Sequence, residues 1–159
     1  MWVDRDMLKS NKLCGFGVAL LLMLGSRAAI ASENNLAGLI RQGQILFQQR
    51  QYGAAIATFT QAILLNPDSA LPYFHRGKVR FELEDDFGAL EDFDDAVQRN
   101  SRFAEAYLYR GSVRLSLGDQ TNGLVDLRQA AGLFSQQGNQ KEYQRAIQLI
   151  RQFNPEIAP

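Results

Sequence analysis

Gly43, Gly77 and Gly111 stand 34 residues apart, and so do Ala62, Ala96 and Ala130. Phe59, Phe93 and Leu127 keep the same step, as do Ala55, Ala89 and Gly123. The units 70–103 and 104–137 also share Tyr73/Tyr107, Arg76/Arg110, Val79/Val113 and Asp92/Asp126. A unit this short cannot cover its own apolar face, so a period of this length confines the chain to an array of stacked copies.

Each unit reads as two helices. In the first, Leu39, Gly43 and Leu46 share a face with Ile40 and Phe47 beside it, and a break is expected near Arg50-Gln51-Tyr52-Gly53. Ala55, Phe59, Ala62 and Ile63 then recur at helical spacing until Asn66-Pro67 stops the chain. Gly43 and Ala55 let two antiparallel helices approach closely, and Phe59 fills the gap further along.

This pattern resembles the tetratricopeptide repeat family over three units, 36–69, 70–103 and 104–137. The family's run of small, small, aromatic, small and Pro is matched by Gly43, Ala55, Phe59, Ala62 and Pro67. Unit two keeps Gly77, Ala89, Phe93 and Ala96 but has Ser101 in place of the proline. Unit three keeps Tyr107, Gly111, Gly118 and Ala130, with Gly123 for the alanine and Leu127 for the aromatic, departures expected to loosen it. The resemblance implies an all-α, right-handed solenoid of three helix-turn-helix units. Tyr143, Ala146, Ile147 and Ile150 form one apolar stripe flanked by Lys141, Arg145, Gln148 and Arg151, which predicts a capping helix over 140–152 and a fraying tail over 153–159. A partner-binding amphipathic helix is the alternative use of that stripe.

Arg5, Lys9 and Lys12 precede an uncharged, mostly apolar run from Leu13 to Ser26, followed by Ala29-Ile30-Ala31. This is the pattern of a secretory signal over 1–31, with cleavage after Ala31 and a short linker over 32–35. The run falls short of the roughly 20 residues a spanning helix needs, although an uncleaved anchor is the competing reading. Cys14 lies at the start of the run, badly placed for lipid attachment. The expected compartment is therefore the periplasm or an equivalent lumen, or the membrane if the leader stays attached. Removing four of the 17 basic and two of the 17 acidic residues leaves 13 against 15, with no cysteine. An exported chain of this kind relies on packing rather than disulfides.

A neutral balance argues against nucleic acid, which demands a basic face. One His and one Cys exclude a zinc site built from several such ligands, and no phosphate loop, dinucleotide fingerprint or nucleophile–base framework is present. The chain is read as a non-enzymatic, monomeric scaffold without cofactor or metal, binding a protein or peptide. A membrane-anchored assembly factor is the alternative.

In the family the first helices line a groove that holds an extended peptide or a partner's helix. By register the inward residues are Ala37, Ile40, Gln44, Phe47 and Gln48, then Leu71, Phe74, Lys78, Phe81 and Glu82, then Glu105, Leu108, Ser112, Leu115 and Ser116. Phenylalanines around Lys78 are the kind of surface that concentrates binding energy; the competing reading buries Phe47, Phe74 and Phe81 between repeats. The family's basic clamp for a terminal carboxylate is absent, since its positions read Ile40, Gln44, His75, Glu105 and Tyr109.

Arg76 and Arg80 recur as Arg110 and Arg114, and Asp92 recurs as Asp126, whereas unit one has Gln42, Leu46 and Thr58 at these three positions. Positions that change together suggest the structural pairs Arg76–Asp92 and Arg110–Asp126 within a repeat, because buried charges demand partners. A phosphate-binding arginine row is the functional alternative. Residues 82–95 hold eight acids, Glu82, Glu84, Asp85, Asp86, Glu91, Asp92, Asp94 and Asp95, expected to form a solvated face or a docking patch for a basic partner. His75, alone on its helix, is expected to be structural or solvated.

Overall fold

The computed structural model describes residues 35–154. The leader, most of the linker and the end of the tail lie outside the described residues. Gly38–Pro159 form one compact unit, and the packing below is that of its described part. Seven helices and no strand occur among the described residues. They are α1 (35–48), α2 (Tyr52–Leu65), α3 (Ala70–Glu82), α4 (Asp86–Arg99), α5 (Ala104–Ser116), α6 (Gln120–Gln136) and α7 (Gln140–Phe153). None is long and apolar enough to cross a membrane.

Local chemistry sets the helix ends at the repeat period. Asp85 and Asp119 cap α4 and α6 by accepting from the amides of Gly88 and Asn122 at 3.0 and 3.2 Å, and Asn139 caps α7. Hydrogen bonds from the Asn122 side chain and amide hold the Asp119 carboxyl below its ordinary pKa. Gln51, at the same register, offers no side-chain cap to α2. At the other end, Asn66 and Asn100 stop α2 and α4 and accept from the amides of Asp68 and Arg102 at 3.1 and 3.0 Å. This turn explains why Ser101 replaces proline without consequence, since the asparagine itself turns the chain. Between the helices of each pair the chain passes through a left-handed residue, Arg50 (φ 58°), Glu84 (φ 59°) and Gly118 (φ 85°), again 34 residues apart. Only the third is the residue type that adopts this conformation freely. The first turn is also tighter than the sequence suggests, with Tyr52 and Gly53 already helical.

Each helix packs on the next, and α3 also touches α5 across a repeat. Within the pairs the glycines are contact points. A Cβ at Gly43 would lie 2.5 Å from the Phe59 ring, and one at Gly77 would lie 2.9 Å from Phe93. The expected loosening of unit three does not occur. A Cβ at Gly111 would lie 2.9 Å from the backbone oxygen of Gly123, and one at Gly123 would lie 2.9 Å from Leu115. Two facing glycines bring the backbones together where units one and two interpose an alanine and an aromatic, and Leu115 and Leu127 fill the remaining space. Ala146 and Ile150 bury the capping face of α7 against a core that includes Phe134, while Lys141, Gln148 and Arg151 stay exposed. An apolar inner stripe and a polar outer one suit the last element of an array.

Candidate functional site

The inner faces of α3, α5 and α7 enclose a cleft of about 340 Å³, lined by Phe74, Lys78, Glu105, Leu108, Tyr109, Asn139, Glu142 and Arg145. The Lys78 ammonium lies 5.8, 5.7 and 5.4 Å from the ring centroids of Phe47, Phe74 and Tyr109, one ring from each of α1, α3 and α5. Ammonium groups at this distance from ring centroids are held by the ring quadrupoles. Tyr109 organises the wall, meeting Phe74 and Phe81 edge-on at 5.7 and 6.0 Å and Phe93 at 5.7 Å. From the far side the Arg145 guanidinium lies 5.7 Å over the same ring and reaches Glu142 at 3.4 Å.

The residues assigned to the groove by register divide by burial. Gln44, Phe47, Lys78, Phe81, Glu105 and Ser112 are half-buried, and of these Lys78 and Glu105 line the cleft. Ile40, Phe74, Leu108 and Leu115 are buried. Leu115 leans on Gly123 in the α5–α6 core, so it does not face the cleft. Phe74 and Leu108 form the floor of the cleft at 6% and 1% exposure. Ala37, Gln48, Leu71, Glu82 and Ser116 are exposed, and Ser116 donates to Asp86 at 2.6 Å. The register alone misses the wall supplied by α7 and the central place of Tyr109. Helix α7 continues the layer of first helices, but α6 has 17 residues where α4 has 14, so its register slips out of the period.

His75 stacks on Phe59 (5.4 Å, 17°) and sits 2.9 Å from the Gln44 amide nitrogen through its Nε2. It joins α1, α2 and α3 rather than lining the cleft. Burial, helped by the charge of Lys78, lowers its pKa to about 4. The ring is therefore neutral around pH 7, and its Nε2 can accept a hydrogen bond from the Gln44 amide N–H.

The arginines and aspartates build a second, separate feature. Arg76 grips Asp92 through Nε and a terminal nitrogen at 3.1 and 2.7 Å, and Arg80 reaches the other oxygen at 3.0 Å. Arg110 and Arg114 hold Asp126 in the same way at 2.6 and 2.7 Å. Asp92 and Asp126 are 1% and 2% exposed. The same arginines reach back one repeat, Arg76 to the Thr60 hydroxyl at 3.1 Å and Arg110 to Asp94 at 2.7 Å. Burial pushes the Asp92 carboxyl above its usual range against the pull of Arg76 and Arg80. For Arg110, burial acts downward but Asp126 and Asp94 outweigh it, and its pKa rises. With the guanidiniums turned to carboxylates between helices, the row is not laid out to receive phosphate.

The acidic stretch is correspondingly less solvated than its composition suggests. Asp92 is buried, Asp94 bridges Arg110 and Arg114, Asp95 pairs with Arg99, and Asp85 caps α4. Glu82, Glu84, Asp85, Glu91 and Asp94 remain exposed. Among the described residues, no group of three His, Cys, Asp or Glu side chains could hold a metal ion.

Residues 43–84 match the sequence model of the TPR repeat. The chain is similar in structure to the TPR domain of Arabidopsis OM64, at 27% identity over 74% of this chain and 94% of that one, with a TM-score of 0.66. It is similar to the TPR2B domain of yeast Sti1 in its pHsp70 complex, at 18% identity over 76% and 97%, with a TM-score of 0.71. It is also similar to the Yersinia enterocolitica type III secretion chaperone SycD in complex with a peptide of the translocator YopD, at 14% identity over 79% and 96%, with a TM-score of 0.72. No curated protein matches the sequence. The described array has the fold of tetratricopeptide repeats, and residues 43–84 match the sequence model of that repeat.

Proposed function

We propose that this protein is a non-enzymatic binding module that holds a peptide or helix of a partner protein in the cleft between α3, α5 and α7. The observation that carries this reading is the cleft itself: an open hollow with an aromatic wall, an apolar floor and convergent polar groups from three helices. Such surfaces supply anchoring by shape and desolvation, with a few polar groups to fix orientation. Two of the similar structures, Sti1 TPR2B and SycD, are complexes with pHsp70 and with a YopD peptide, which supports a peptide-binding use of this fold. We further propose that the leader directs the array out of the cytoplasm; N-terminal sequencing of the fractionated protein should begin at Ser32, and an intact leader in the membrane fraction would favour the anchored reading instead.

The test starts from a random nonapeptide display library selected on the full chain, with affinities of the winning peptides measured by fluorescence anisotropy. Tyr109→Ala combined with Arg145→Ala should weaken them at least tenfold while the melting curve stays cooperative. Phe74 is a poor choice for this purpose because its burial makes truncation a test of folding. Peptides that bind the folded double variant as well as the parent would defeat the cleft as the working site.

A further inference from the structure

We infer that Lys78 makes the cleft selective for peptides carrying an acidic side chain beside an apolar one. The inference rests on the reading of the cleft as a peptide site and names what that site would select. Its starting observation is an imbalance of partners. Among the described residues every arginine that is not exposed is ion-paired: Arg76 and Arg80 to Asp92, Arg99 to Asp95, Arg110 and Arg114 to Asp126. Lys78 is half-buried too, yet it makes no ion pair and no side-chain hydrogen bond among these residues, and meets only three rings. An ammonium has three donors, and the ring faces satisfy its charge in part but none of its hydrogen-bonding capacity.

The neighbouring acids do not compensate it. Glu142 pairs with Arg145, one turn along the same helix. Glu105 sits in the first turn of α5, where the helix macrodipole already favours its negative charge. Among the described residues Lys78 is therefore the unpaired cation of the cleft, fixed by the Phe47, Phe74 and Tyr109 rings at the level where a ligand's apolar group would contact Tyr109. A carboxylate from the ligand would gain a charge-assisted hydrogen bond to a pre-positioned donor, in surroundings less polar than water. Lys78 stands apart from the five clamp positions that here read Ile40, Gln44, His75, Glu105 and Tyr109, so its acid can come from inside a sequence and need not be a chain terminus.

The experiment uses the same nonapeptide library on the full chain and on Lys78→Met and Lys78→Glu variants. Methionine keeps an unbranched apolar stem among the rings, and a melting curve for each variant verifies folding. The expected result is enrichment of Asp or Glu next to an apolar residue on the parent, loss of the acid preference on Lys78→Met with the apolar preference retained, and a turn to Lys or Arg on Lys78→Glu. A parent-selected peptide should bind Lys78→Met about tenfold more weakly, and its acid→amide form should bind both proteins alike. Peptides that need Tyr109 but show no acid preference would overturn the selectivity and leave the cleft in place. Peptides indifferent to Tyr109 would overturn the cleft reading and this inference together.

Discussion

In the seams inside the second and third repeats each half-buried guanidinium meets a carboxylate, whereas Lys78, on the same helix as Arg76 and Arg80, meets only aromatic rings. Helix α3 thus shows two faces built from the same kinds of side chain. Facing α4, charges close on one another and hold two helices in register. Facing the cleft, one charge is held ready with nothing opposite it. The difference teaches which polar groups belong to folding and which are left for a ligand. In a marginally stable array an unanswered half-buried cation is a cost that the fold itself does not recover.

The first repeat sharpens the contrast, because it keeps the geometry without the charges. Gln42, Leu46 and Thr58 stand where the later repeats have two arginines and an aspartate, and Thr58 simply donates to the Ala54 carbonyl at 2.9 Å. The seam is therefore a matched set, and breaking one member should be worse than exchanging all three. Asp92→Ala leaves Arg76 and Arg80 facing each other without their carboxylate and should cost about 3 kcal/mol in urea denaturation. The triple exchange Arg76→Gln, Arg80→Leu, Asp92→Thr, copying the first repeat, should recover stability to within about 1 kcal/mol of the parent. A triple variant as unstable as the single one would show that the charges do more than answer each other.

A second prediction concerns the junction of the first two repeats, where a neutral His75 stacks on Phe59 and bonds to Gln44. Its folded pKa of about 4 lies below the 6.5 of a free histidine, so between these values the unfolded chain takes up a proton that the folded chain does not. Stability therefore falls as pH drops through this window and is fully retained above it. The chain should be about 1–2 kcal/mol less stable at pH 5 than at pH 7, after allowance for partial exposure of the ring. His75→Gln should remove most of that slope; an identical slope in the variant would assign it to the carboxylates.

The smallest effect is expected at the helix turns. Glu84 holds a left-handed backbone conformation that Gly118 adopts at the same register. Glu84→Gly should relieve strain of about 1 kcal/mol, partly offset by the greater freedom of glycine in the unfolded chain, for a net gain of a few tenths to about 1 kcal/mol in thermal unfolding. No gain would mean that the strain is already relaxed by the flanking helix ends.

Much of this was legible in the sequence because the repeat itself writes each contact several times. Gly43, Gly77 and Gly111 mark the close approaches, and the joint change of Gln42, Leu46 and Thr58 to charged residues marks the seam before any coordinate is known. The unreadable parts are those that break the period or do not change residue type with it. Arg50 and Glu84 hide a turn that only Gly118 announces. Asp94 has Thr60 and Arg128 as its equivalents, so its bridge between Arg110 and Arg114 leaves no recurring mark. The α7 wall is hidden by length: Gln140 follows Ala104 by 36 residues where Ala104 follows Ala70 by 34, so Asn139, Glu142 and Arg145 fall out of alignment with the groove positions. Register also gives direction without depth, which is why Leu115 reads as a groove residue although it lies in the α5–α6 core.

The most direct test of the claim that the cleft and not the seams receives the partner is amide chemical-shift mapping of the folded chain with a library-selected peptide. Shifts should concentrate at Lys78, Glu105, Tyr109, Glu142 and Arg145, leaving the Asp92 and Asp126 amides and the outer faces of α2, α4 and α6 unmoved. Shifts centred on the exposed acids of α4, with the cleft residues silent, would contradict it.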